Sequence, residues 1–173
     1  MMDIPGTYAY LVRARRDLWA TLEAVPDEVL SRPLLRGERF HSIKDLVAHT
    51  ARVEDGWIHH TILRDAPVED AFPAIQAAGD GPVYAGFPLA ELLAYWRAVE
   101  ASTLAYLATL TGDDLARVVE DTPEEHFRLD GLLWHVMLHE VRHTAQIAAL
   151  LRTQGLRPPS LDLLFYLPNL RQS

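Results

Sequence analysis

Apolar residues recur at three- and four-residue spacing in four separate segments of this 173-residue chain, and the stretches between them are rich in Pro, Gly and Asp. That pattern calls for amphipathic helices, and no strand-like alternation competes with it for long. The first segment runs from about Thr7 to Val25, with Tyr8, Leu11, Val12, Leu18, Leu22 and Val25 on one stripe and Pro26 stopping it. The second begins at Ser42, whose hydroxyl can cap the helix while Asp45 sits three residues on, and continues to about Arg64. Ile43, Leu46, Val47, Val53 and Trp57 make its buried side. The third starts near Pro88 and ends before Gly112, burying Leu89, Leu92, Leu93, Trp96, Val99, Leu107 and Leu110, and it contains no histidine. The fourth runs from about Asp130, as its cap, to Gln154, with Gly155 set for a left-handed turn and Pro158 and Pro159 behind it.

From Asp65 to Phe87 the chain carries Pro67, Pro73, Gly79, Gly81, Pro82 and Gly86, too many interruptions for a long helix. A connection of that length can cross the whole bundle, so the second and third helices need not be antiparallel neighbours. Ser160 to Leu167 reads as a short helix capping one end. The expected fold is all-α, a single four-helix-bundle domain over residues 1–173 with long connections. About half the residues are apolar, enough for one real core.

Composition narrows the function. The net charge of −8 argues against an extended phosphate-binding surface, so nucleic acid is not an expected partner. The chain has no run long and apolar enough to span a bilayer and no basic, then apolar, start, which places it in the cytoplasm with no membrane partner. Cysteine is absent, so there is no disulfide, and any thiol chemistry needs the thiol to arrive as a substrate.

The fourth segment carries the chemistry. At about 100° per residue, counting from Leu132, His139 falls near 340° and His143 near 20°, in the middle of a stripe that also holds Val136, Ile147 and Leu150. Two imidazoles buried there without partners cost roughly 1 to 3 kcal/mol for each unpaired group. Side chains at i and i+4 project side by side, so one divalent cation can satisfy both rings. The competing reading is a hydrogen-bonded pair of core histidines. His135, near 300° by the same rough count, flanks the stripe beside Gln146, and both read as residues supporting the centre or lining its entrance.

A third histidine, His49, lies at the edge of the second helix's apolar face, where it is either a boundary residue or a third ligand. His60 shares a similar face, but at roughly 16 Å along a helix it cannot share a metal with His49, and His59 points elsewhere. His41 and His126 fall in connections.

One histidine in LVAHTARVEDGW followed by LLWHVMLHEVRHTAQIAALLRTQG resembles the DinB/YfiT-like family of damage-inducible helical proteins. The likeness extends over nearly the whole chain, including the terminal PPSLDLLFYLP, and departs where Thr144 and Ala145 stand before Gln146 in place of the family's frequent Arg and Gly. The resemblance implies one divalent metal on His49, His139 and His143.

Three neutral imidazoles would leave the cation its full charge and an open position, the pattern of a catalytic site. Zinc and nickel suit such a site best, with iron or manganese if water or carboxylate completes it. By the resemblance, the expected activity is transfer of a low-molecular-weight thiol of the bacillithiol type to an electrophilic small molecule. The alternatives are a metal-dependent hydrolase of the YfiT type and a non-enzymatic metal- or ligand-binding stress protein. Glu140 is the candidate to orient or deprotonate the nucleophile, and Asp45, one turn before His49, the candidate to orient that ring. His139 to His143 also spells the H-E-x-x-H of zinc proteases, but Gln146 and Ala149 stand where an extended motif has glycine and histidine. Pairing of two copies through helix faces is a further expectation.

Overall fold

A computed structural model describes residues 3–168 of the protein. Its long helices are α1 (Ile4–Glu23), α3 (Ile43–Asp55), α5 (Leu89–Leu107) and α6 (Leu129–Thr153), with α2 (Asp27–Leu30) and α4 (Pro73–Ala78) as short pieces of the connections. The all-α bundle expected from the periodicity is what forms. Its ends follow local capping chemistry. Helix α1 begins at Ile4 rather than Thr7 because the Asp3 carboxylate accepts from Gly6 N–H at 2.8 Å and Pro5 fits the first turn. Ser42 and Asp45 form the expected capping box on α3. Asp130 is not the cap of α6: Arg128 holds that position, and Asp130 sits in the first turn, paired with Arg128 at 2.8 Å. Gly155 takes the left-handed turn, at φ 75°.

Beyond Asp55 the second predicted helix continues as a π-helix, Gly56–Leu63, and closes on Arg64 at φ 59°. The wider turn rotates every following residue about the axis relative to α-helical spacing. Consequently His59 is buried and His60 exposed, the reverse of what α-helical spacing predicted. The Nδ1 of His59 lies 2.7 Å from an Asp65 carboxylate oxygen and its Nε2 lies 2.9 Å from Ser102 Oγ, which ties the segment to α5.

A second departure lies between α5 and α6, where β1 (Val118–Thr122) pairs antiparallel with β2 (Glu125–Arg128), Val119 opposite Phe127. Val119 is the one strand position that is buried, so the hairpin leaves almost no hydrophobic alternation to read. The C-terminal helix is a single 3-10 turn, Leu163–Tyr166, lying along α1, where the Tyr166 hydroxyl donates to Asp17 at 2.7 Å.

Cross-helix pairs give the directions. Tyr8 meets Glu54, Arg15 meets Glu100, and Trp19 packs edge to face against Trp96, so α3 and α5 both run antiparallel to α1. Asp55 meets Tyr95 and His59 meets Ser102, so α3 and α5 are parallel neighbours. The long connection makes this arrangement: it returns along α3, pinned at one end by Asp55, which accepts from Val68 and Glu69 N–H, and at the other by Asp45, which accepts from Tyr84 N–H at 2.9 Å. Its middle therefore passes the middle of α3, where His49 is.

Two apolar clusters fill the bundle, one around Leu22, Leu46, Trp96 and Ile147, the other around Tyr8, Ile58, Leu107 and Leu133. Between them lies a buried ionic layer. The Arg15 guanidinium, fully enclosed, grips Glu140 through Nε at 2.8 Å and Nη2 at 2.6 Å and reaches Glu54 at 3.1 Å and Glu100 at 3.3 Å. Burial works against its charge, but Glu140 and Glu54 outweigh that and hold the guanidinium protonated. Among the described residues no helix is long and apolar enough to cross a membrane.

Candidate metal centre

His139 and His143 stand one turn apart on α6, on the face turned toward α3, and His49 projects from α3 to meet them. All three are buried. One ring nitrogen from each falls within 4.8 Å of the other two, and the Nε2 atoms of His139 and His143 are 3.1 Å apart. The pairing predicted from helical geometry is thus present, with the third histidine brought in from another helix.

The surroundings decide which nitrogen faces the centre. The Nδ1–H of His49 donates to Asp80 Oδ1 at 3.1 Å, and the Nδ1–H of His143 donates to Gln146 Oε1 at 2.6 Å. In a neutral ring, a proton on Nδ1 leaves the lone pair on Nε2. For His143 that atom points at His139 and accepts a bond from Arg142 Nη2 at 3.1 Å. Phe40 stacks on His49 with centroids 4.0 Å apart and holds the ring in plane.

Neutral rings are also what the electrostatics favour. Burial, and then the His143 and His49 rings, pulls His139 down to about 3. Burial likewise lowers His143 to about 4, against the pull of Gln146. For His49, burial lowers the value while Asp80 works to raise it. Three neutral imidazoles whose ring nitrogens converge form a donor set for a cation: the 3.1 Å contact is a hydrogen bond from His139 to His143, and the third ring, His49, is what a hydrogen-bonded core pair does not need. Nitrogens bound tetrahedrally at about 2.0 to 2.1 Å to one metal are about 3.3 to 3.4 Å apart, so the widest side of the triangle, at most 4.8 Å, closes by up to about 1.5 Å when the metal binds. Divalent cations that accept imidazole fit this donor set.

The centre forms the floor of a cavity of about 450 Å³ lined by Leu35, Phe40, Leu46, Arg39, Arg142 and Gln146, among others. Gln146, expected as a supporting residue, is on His143. His135 is exposed, its ring 5.2 Å from Trp57 and 6.1 Å from His139, beside the centre but not in the three-histidine group. Asp45 does not orient His49: its carboxylate is used by the Ser42 cap and by Tyr84 N–H. That role falls to Asp80, which no helical spacing could have pointed to because it lies in the long connection. Glu140 does not line the cavity either. It is buried on the flank of α6 that faces α1, in the ionic layer, where burial raises its pKa against the opposing pull of Arg15. It is therefore neither a base facing the centre nor an exposed helix-face glutamate.

The family model described as the DinB family matches residues 2–170. Among solved structures, a DinB-like protein from Bacillus cereus superposes with a TM-score of 0.60 at 19% identity, over 90% of this chain and 95% of that one. At that identity the likeness speaks to the fold. No curated protein matches the chain.

Proposed function

Because the chain belongs to the DinB family, we propose that His49, His139 and His143 hold one divalent metal ion, zinc or nickel, and that the protein transfers a low-molecular-weight thiol to an electrophilic small molecule. The observation that carries this is the convergence of three neutral imidazoles at the floor of an open cavity, with two of their tautomers set by Asp80 and Gln146. When bound, the metal supplies Lewis acidity that makes a thiol ionise near neutral pH.

The chain's own residues do the rest. Asp80 and Gln146 keep the proton on Nδ1 and so keep Nε2 available, as partners of metal-bound histidines commonly do. Leu35, Phe40 and Leu46 exclude water from one wall of the cavity, which strengthens charge interactions within it. With no cysteine in the chain, the nucleophilic sulfur has to come from the substrate. Hydrolysis of the protease type lacks its base, because the Glu140 carboxylate is engaged by Arg15.

The test is elemental analysis of gently purified wild type beside a His139→Ala, His143→Ala variant, followed by thiol consumption with an electrophile in the metal-loaded form. Near-stoichiometric metal that disappears in the variant, with thiol consumption that follows the metal, is the expected result. Equal, low metal in both after zinc, nickel, iron and manganese are offered defeats the metal centre. Metal without thiol consumption defeats the transferase and leaves a metal-binding protein.

A further inference from the structure

The polar lining of the cavity above the histidines is dominated by two guanidiniums, and they are differently occupied. Arg39 is committed to Asp80, at 2.8 Å to Oδ2 and 3.3 Å to the main-chain oxygen. Asp80 in turn holds His49, so Arg39 serves the support of the centre. Arg142 has no carboxylate within ion-pair distance among the described residues, and its Nη2 reaches the inward nitrogen of His143. It is solvent-exposed on α6.

An uncompensated guanidinium at the edge of a centre that suits a divalent cation puts two positive charges side by side with nothing between them. A bound anion touching both relieves that repulsion. The remaining charges in the cavity limit which anion. Arg39 is already neutralised by Asp80 and Glu38 offsets one further charge, so a divalent cation on the histidines together with Arg142 leaves two positive charges, which one thiolate and one carboxylate answer. One planar, five-donor fork matches a carboxylate in charge and in shape, whereas a phosphate dianion beside a thiolate on the cation would exceed the positive charge available.

We propose that Arg142 is a specificity-determining residue, and that the thiol or electrophile taken by this site carries a carboxylate a few bonds from the atom that meets the metal. The inference rests on the metal-centre reading above and adds the substrate class to it. In this chain the arginine precedes the second histidine of the pair, so it extends over the cavity mouth from the same turn that carries a ligand.

The experiment uses the whole protein loaded with cobalt(II), whose visible spectrum changes when a thiolate binds. Wild type, Arg142→Gln and Arg142→Lys are each titrated with 3-mercaptopropionate and with its neutral counterpart 3-mercaptopropionamide. Wild type should bind the carboxylate about 10- to 100-fold more tightly than the amide, the range expected for one charge-assisted hydrogen-bonded pair. Arg142→Gln should lose that preference with amide binding and cobalt content unchanged, and Arg142→Lys should retain part of it. No preference in wild type, a preference that survives in Arg142→Gln, or cobalt bound with neither thiol perturbing it overturns the inference while leaving the metal centre standing. A wild-type protein that takes up no cobalt defeats the metal centre and the inference with it.

Discussion

At the scale of single residues, neighbouring positions on one helix take opposite duties. His139 faces α3 and the cavity, and Glu140, the next residue, faces α1 and the buried Arg15. The H-E-x-x-H spelling is therefore a coincidence of two faces: its histidines belong to one environment and its glutamate to another. Glu140→Gln should destabilise the protein by about 3 kcal/mol in denaturant titration, since it weakens a fully buried ion pair, yet leave metal content unchanged. Loss of metal without loss of stability would return Glu140 to the site. Asp80→Ala should do the opposite, reducing metal affinity about 10- to 100-fold by competition with a chelator while shifting the unfolding midpoint little. Unaltered affinity in that variant would mean that the His49 tautomer does not depend on the connection.

At the scale of elements, the π-helical turn over Gly56–Leu63 and the long connection shape the region next to the centre. The π turn hands the inward position to His59, with partners on two elements, and leaves His60 outside. His59→Ala should cost about 1 to 3 kcal/mol through the polar partners it strands, and His60→Ala less than about 0.5 kcal/mol. Equal effects in thermal or chemical unfolding would mean that the segment follows ordinary α-helical register in solution. The connection acts through its two anchors, Asp45 and Asp55, which fix where Asp80 arrives along α3. A capping residue thus affects the centre at one remove: Asp45 positions the strap that positions the residue that holds His49.

At the scale of the whole molecule, the three histidines tie folding to pH. Burial holds His139 and His143 well below the ordinary imidazole value of about 6.5, so the unfolded chain binds more protons than the folded one between that value and about 3. Their contribution is fully present above about pH 6.5 and is lost as the pH falls through 4 toward 3. Metal-free protein should show a flat melting temperature from pH 8 to 7 and a decline below, and a His139→Leu, His143→Leu variant should lose most of that slope. A wild-type melting temperature that stays level down to pH 4.5 would mean that the rings are protonated, or solvated, in the fold. The helical periodicity was legible because each long helix buries a continuous stripe, and the His139 and His143 pair was legible because i and i+4 spacing is a property of the helix that carries both. The buried charge of Arg15 was hidden in plain sequence, since its three carboxylate partners come from three other stretches of chain. Asp80 and Arg142 were not legible as parts of a site. The amino-acid sequence by itself determined the helices, the capping box at Ser42 and the face on which two histidines stand, because those depend on residues a few positions apart. Only the tertiary structure decided that α3 and α5 run parallel, that His49 closes the triangle, that Asp80 orients it and that Glu140 faces away, because each depends on where a long connection brings the chain back.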